Sequence, residues 1–311
     1  MELYGYQKQI ARLVREGKNI ILQAPTGAGK TMAALWPFLV GWADQSTSIP
    51  RKCVYAVPMR VLANQFQADY DRIVHEDLLL INPPHVAKQT GEHKEDPEFR
   101  ADITFATIDQ VLSSWLMTPY SLSQRLGNLN AGAFVGSYLI FDEFHLFDPD
   151  STLPTTLQML KTLNGISPFV LMTATFSKEM LAKLAQYLNA KTFFLDDDLL
   201  TEIPAQNKER CFYTTAVPLT YKTEDKKIVA EPTAVAHILQ THQAQTIAKP
   251  RTLIVCNQVE RAQAVYTALR QIAPEGVTVR LLHSRFRQQD RTEIEDFIRD
   301  EFQKDKTKQT V

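Results

Sequence analysis

Two stretches of the chain hold side chains whose type and spacing suit work on phosphate. The first is Ala24-Pro25-Thr26-Gly27-Ala28-Gly29-Lys30-Thr31. It follows a short apolar run, 19–23, and leads into a helix-forming segment, 32–42. In such a strand–loop–helix context backbone N–H groups converge on an anion, and the helix N-terminus adds its positive dipole end. Glycine at 27 and 29 lets the loop curl round a phosphate with no side chain in the way. Lys30 is the cation that reaches the β- and γ-phosphates, and Thr31 the hydroxyl that meets Mg²⁺. The general pattern opens on glycine where this chain has Ala24, so the loop alone also reads as a turn joining strand to helix. The second stretch is Tyr138-Leu-Ile-Phe-Asp142-Glu143-Phe144-His145. An apolar strand ending in two carboxylates is costly unless they face a cation or solvent. Asp142 is placed to hold Mg²⁺ through its water shell, and Glu143 to orient and deprotonate an attacking water. A solvated strand end is the other reading, and a histidine such as His145 is commonly just a hydrogen-bonded structural residue.

The elements that must position these residues follow from the hydrophobic pattern. A helix ending near Glu16, with Gly17 as its stop, precedes the loop and carries Gln7. A glutamine amide pairs with N6 and N7 of adenine, and Tyr4 or Tyr6 is placed to stack on the ring; taken alone, Gln7 is a solvated helix residue. Strand patterns at 53–57, 103–107, 138–141 and 169–172 alternate with helical ones at 61–75, 108–116, 153–163 and 178–188. That alternation predicts an α/β fold, a parallel sheet with helices on both faces and ligands beyond the carboxyl ends of the strands. Residues 191–210 break the pattern and read as a connector, dividing the chain into domains 1–205 and 206–311. The second has strand patterns at 211–215, 252–256 and 277–282, and helical ones at 233–245, 259–271 and 288–302. These are too few strands for a closed sheet.

Composition bounds the class. With 44% hydrophobic and 22% charged residues over 311, the chain reads as globular, and a net charge of −1 gives no overall basic field. A locally positive groove stays open. Cys53, Cys211 and Cys256 are widely spaced and sit in or beside apolar runs, which predicts buried free thiols in a reducing compartment. No apolar run approaches membrane-spanning length and no signal-peptide pattern opens the chain, so the expected location is the cytoplasm.

The order Ala24–Thr31, then Asp-Glu-Phe-His at 142–145, then Thr173-Ala174-Thr175 resembles the superfamily-2 helicases. The resemblance implies two RecA-like domains in tandem, the second incomplete here, with ATP and Mg²⁺ as cofactors. It assigns Gln7 and Tyr4 to adenine, and Ala24, Pro25, Thr26, Gly27, Ala28, Gly29, Lys30, Thr31 and His145 to the nucleotide site. Thr31 and Asp142 fall to the metal, and Lys30, Asp142 and Glu143 to catalysis. Arg60, Thr90, Gly91, Thr107 and Gln110 match positions that contact the sugar–phosphate backbone, a mode that gives affinity without sequence readout. Asn257, His283, Ser284 and Arg285 match the early motifs of the second domain, and Thr173, Ala174 and Thr175 the element coupling ATP state to domain movement. The run Leu146-Phe147-Asp148 after the acidic motif, with His283-Ser-Arg-Phe286, is similar to the helicase of type I CRISPR interference, which pulls one DNA strand through a channel between its domains. The expected partners are single-stranded DNA, a CRISPR surveillance complex and a separate HD nuclease subunit, an arrangement like that of type I-D systems. Two later motifs of the second domain, one bearing an arginine for the γ-phosphate, are absent, as is any His-Asp dipeptide. Rival readings are another superfamily-2 RNA or DNA helicase, or an ATP-binding docking subunit with little turnover.

Overall fold

The strand-like runs are apolar or small at nearly every position, as strands are when both faces are covered. The computed structural model, which describes residues 3–203, 218–245 and 251–303, folds them into such a sheet. The chain divides into two units, 1–209 and 210–311. In the first, Ile20–Gln23 (β1), Cys53–Val57 (β2), Val86–Gln89 (β3), Ile103–Thr107 (β4), Tyr138–Phe141 (β5), Phe169–Thr173 (β6) and Lys191–Phe194 (β7) lie parallel in the order β3-β4-β2-β5-β6-β1-β7. The helices are Gly5–Arg15 (α1), Lys30–Ala43 (α2), Arg60–Arg72 (α3), Ile108–Trp115 (α4), Gly127–Ala133 (α5), Thr152–Thr162 (α6), Lys178–Leu188 (α7) and Asp197–Thr201 (α8).

Period-two alternation sorts the sheet's side chains into two cores. Ile20, Leu22, Cys53, Tyr55, Ile140 and Met172 face one core, shared with α1, α2 and α3; Ile21, Val54, Leu139, Phe141 and Leu171 face the other, shared with α4, α6 and α7. Leu22 is fully buried, and cutting such a side chain to alanine costs about 2–5 kcal/mol. Register then decides where chemistry can sit. Val170 of β6 lies level with Ile20 of β1 and Ile140 of β5, so Ala24, Asp142 and Thr173 emerge together at the carboxyl edge. In α2, Pro37 removes one backbone donor, and one turn earlier the Tyr138 phenol donates to the Ala34 carbonyl at 2.7 Å.

The five expected strands and the helices of this unit form within a few residues of their predicted limits. Four elements were not anticipated. β3 is a short, partly polar strand behind Pro83-Pro84, and it gains its order from pairing with β4. The α5 turn lies in a Gly- and Asn-rich stretch. The segment read as a connector contains β7, which pairs parallel to β1 as a half-exposed edge, and then α8.

The described part of the second unit holds a hairpin, Thr220–Lys222 (β8) with Ile228–Ala230 (β9), and helices Pro232–Gln243 (α9), Val259–Ile272 (α10) and Gln288–Gln303 (α11). Val235, Val265 and Leu269 form its buried centre, with Ile254, Cys256 and Val279 against it. The strands expected at 252–256 and 277–282 do not form. Ile254 and Cys256 pack against the centre of the unit, but Leu253 and Val255 stay 86% and 80% exposed, and among the described residues no neighbouring strand completes a ladder. A strand needs a partner, which propensity alone does not provide. Cys256 is therefore only partly covered, whereas Cys53 is buried. The strand expected at 211–215, with Cys211, lies outside the described residues. No helix among the described residues is long and apolar enough to cross a membrane.

Candidate nucleotide site and nucleic-acid interface

Gly27 and Gly29 both adopt left-handed backbone angles, φ +81° and +83°, and Gly29 caps α2. The conformation requires glycine there, and a Cβ on Gly29 would sit 2.7 Å from Gln7 Nε2 and push that amide aside. α1 braces the loop from below. The Tyr6 phenol donates to the Ala28 carbonyl at 2.7 Å, and Gln7 Nε2 donates to the Gly29 carbonyl at 3.0 Å. Gln7 Oε1 accepts from the Tyr4 backbone N–H at 3.0 Å. Each end of the amide keeps one hydrogen-bonding position for a base edge. Tyr6 is fully buried, so of the two tyrosines only Tyr4 is accessible to a ring.

Lys30 is 6% exposed. Its ammonium donates to the Ala24 carbonyl at 3.2 Å and pairs with Glu143 Oε1 at 3.1 Å. Glu143 sits at φ +45°, a turn uncommon for a residue with a side chain, which re-aims the carboxylate at the end of β5. Its Oε2 lies 3.4 Å from His145 Nδ1 yet is buried without a hydrogen bond. His145 Nδ1 in turn meets Thr173 Oγ1 at 3.2 Å. The Thr173 carbonyl accepts from Ala24 N–H at 3.1 Å. Ala24, Lys30, Glu143, His145 and Thr173 thus form a closed ring of polar contacts. Thr175 N–H approaches Thr173 Oγ1 at 3.4 Å, and Ala174 lies between them, half-buried.

Asp142 is 3% exposed. Its Oδ2 accepts from the Tyr55 phenol at 2.8 Å and its Oδ1 from Glu143 N–H at 2.9 Å. Burial pushes the Asp142 carboxyl up to about 6; the Glu143 charge adds to this, while Tyr55 and Lys30 oppose it. Among the described residues no three His, Cys, Asp or Glu side chains gather as a metal cage. One buried carboxylate beside one hydroxyl, Thr31, suits a cation that keeps its waters and takes phosphate oxygens, as Mg²⁺ does.

The other half of the same edge holds the residues matched to the nucleic-acid backbone. Arg60, at the start of α3, is half-exposed, pairs with Glu92 at 2.5 Å and lies over Gly91. Thr90 is buried, and its hydroxyl accepts from His93 N–H at 3.0 Å. Thr107 is buried at the start of α4, and the Gln110 amide is engaged inside with Gln89 and Ser121. Of this set, Arg60 and Gly91 face outward, while Thr90, Thr107 and Gln110 hold the loops behind them. In the second unit α10 gathers the rest. Asn257 precedes it, His283 Nε2 lies 3.1 Å from Gln263 Nε2, and Arg285 pairs with Glu260 at 2.7 Å, with Ser284 exposed between them.

Residues 4–184, more than half of the chain, match the family model for the DEAD/DEAH box helicase. The chain belongs to the DEAD/DEAH box helicase family. Residues 248–311 match the model for the C-terminal part of the CRISPR-associated nuclease/helicase Cas3. The helicase chain is 26% identical to the ATP-dependent DNA helicase Hel308 of Thermoplasma volcanium over 194 residues, 61% of this chain and 25% of that protein. It is 23% identical to the CRISPR-associated endonuclease/helicase Cas3 of Escherichia coli K12, across 96% of this chain and 38% of that one. It therefore spans well under half the length of either relative. Its fold resembles that of the DUF1998 helicase MrfA, with a TM-score of 0.58 at 17% identity over 87% of this chain and 38% of that structure.

One member of the candidate site escaped sequence reasoning, and another has a different role from the one offered. Tyr6, read as a candidate stacking partner for adenine, is buried and pinned to Ala28. Tyr55 reads as a strand core residue, and its partner Asp142 is 87 positions away.

Proposed function

We propose that this chain is the ATP-driven motor portion of a type I CRISPR-interference helicase, moving along single-stranded DNA. The observation that carries the reading is the likeness to a Cas3 protein over nearly the whole chain, second unit included. Lys30 takes the β- and γ-phosphates in place of Glu143, and Gln7 with Tyr4 holds the adenine. Ala24 to Gly29 supply the backbone cradle. Thr31 and Asp142 hold Mg²⁺, which when bound neutralises charge on the phosphate oxygens. Glu143, released from Lys30, accepts the proton of the attacking water. Arg60 and Gly91 in the first unit, and Asn257, His283, Ser284 and Arg285 in the second, track the sugar–phosphate backbone. Thr173, Ala174 and Thr175 couple nucleotide state to movement. The partners on this reading are single-stranded DNA, a CRISPR surveillance complex and a separate HD nuclease subunit, in the cytoplasm.

The similarity to Hel308 favours a second reading, a DNA helicase outside CRISPR interference. The test is ATP turnover with single-stranded DNA, RNA, or a surveillance complex holding an opened target. DNA stimulation, raised further by the complex, is the expected result. Stimulation by free DNA alone would favour the second reading, and stimulation by RNA alone would overturn both.

A further inference from the structure

Tyr55 does the packing of an apolar residue, yet its oxygen lies within the phosphate site. β2 sets it beside Ile140 of β5, two residues short of Asp142, on the face shared with α2. The ring meets Phe66 edge-on at 5.5 Å and Phe105 at 5.2 Å. Phenylalanine would fill that space equally well. A buried hydroxyl is costly unless bonded, and this one donates to Asp142 Oδ2 at 2.8 Å.

A phenol has one hydrogen, and a carboxylate only accepts. That hydrogen goes to Asp142 Oδ2 while the Glu143 N–H goes to Oδ1 at 2.9 Å, so the carboxylate is held in one orientation at the end of β5.

We propose that Tyr55 is the positioning residue of the magnesium site, fixing the Asp142 carboxylate through its hydrogen bond to Oδ2. The proposal rests on the ATP–Mg²⁺ reading of the 24–31 loop. It concerns metal affinity, not the phosphate cradle, because the Tyr55 phenol donates to Asp142 and not to the 24–31 loop. Removing a partner behind a metal ligand costs about 10–100-fold in metal affinity.

The test uses the full chain and Mn²⁺ as a paramagnetic stand-in for Mg²⁺. Spin-resonance titration gives Mn²⁺ affinity in the presence of ADP, and calorimetry gives ADP affinity without metal. Tyr55→Phe should weaken Mn²⁺ binding by about tenfold or more, with metal-free ADP affinity unchanged. Equal Mn²⁺ affinity in both proteins would overturn the proposal, as would equal losses with and without metal. Wild-type protein that fails to bind Mn²⁺ with ADP would overturn the ATP reading itself. Should Tyr55→Phe not fold, 3-fluorotyrosine placed at 55 gives the answer in a protein of native shape. Its ¹⁹F resonance should move on adding Mg²⁺ with ADP and stay in place with ADP alone; a resonance indifferent to the metal would sink the proposal.

Discussion

At the scale of single residues, the site is organised by what Asp142 and Glu143 are bonded to. Glu143 is tied to Lys30 by a largely buried ion pair, and a phosphate must displace it. Glu143→Gln keeps the size and loses both the base and the charge. Turnover should fall by about 10²–10⁴-fold, while calorimetry should find nucleotide bound at least as tightly as before. A parallel loss of binding would make Glu143 structural. Asp142 makes a prediction about pH. Its folded pKa, about 6, lies above the ordinary 3.8. Between those values the folded chain holds a proton that the unfolded chain has lost, so this group's contribution to stability declines as pH rises through the window. The full penalty, at most about 3 kcal/mol, is reached above pH 6. Asp142→Asn removes the charge, so its melting temperature relative to wild type should climb between pH 4.5 and 7. A difference that stays flat over that range would show that Asp142 does not titrate there.

Elements decide how tightly the loop is held. α1 presses Tyr6 and Gln7 against the loop carbonyls, and Gly29 leaves them room. Gly29→Ala combines a strained φ with a clash at Gln7 and should weaken ATP binding by about tenfold or more, equivalent to 1.4 kcal/mol. Fluorescence titration with a labelled nucleotide checks it, and unchanged affinity would remove α1 from the site. The same elements show what a sequence reveals. β2, β4 and β5 are legible residue for residue because strands buried on both faces are continuously apolar. The phosphate loop and the acidic pair are legible because their chemistry depends on close spacing. β3 and β7 are not, being short, partly polar edges that exist through their neighbours. The run at 252–256 shows the converse, a strand pattern with no partner among the described residues. Tyr55 was hidden for a related reason, since a hydrogen bond across two strands leaves no local signature.

Over the whole molecule, the two units differ in how much apolar surface they bury. The first has two large cores on either side of its sheet, whereas the described part of the second centres on Val235, Val265 and Leu269. Calorimetry should therefore resolve two transitions, the second unit melting first. Mg²⁺ with ADP should raise only the upper transition, by roughly RT ln(1 + [L]/Kd) in free energy. A single transition, raised as a whole by the ligand, would show that the units unfold together. The ring from Ala24 through Lys30, Glu143, His145 and Thr173 has a consequence of its own. In a closed ring of contacts a change at one member is passed to its neighbours on both sides. A nucleotide that draws Lys30 off Glu143 opens it at one link, and a pull on the 173–175 segment strains it at another. Because such couplings are reciprocal, whatever free energy the nucleotide spends on freeing Thr173 is the amount by which tension at Thr173 alters the grip on the nucleotide. On the proposed reading the ring would serve as a gauge as well as a hinge, letting load on the chain be felt as a change in affinity for its fuel.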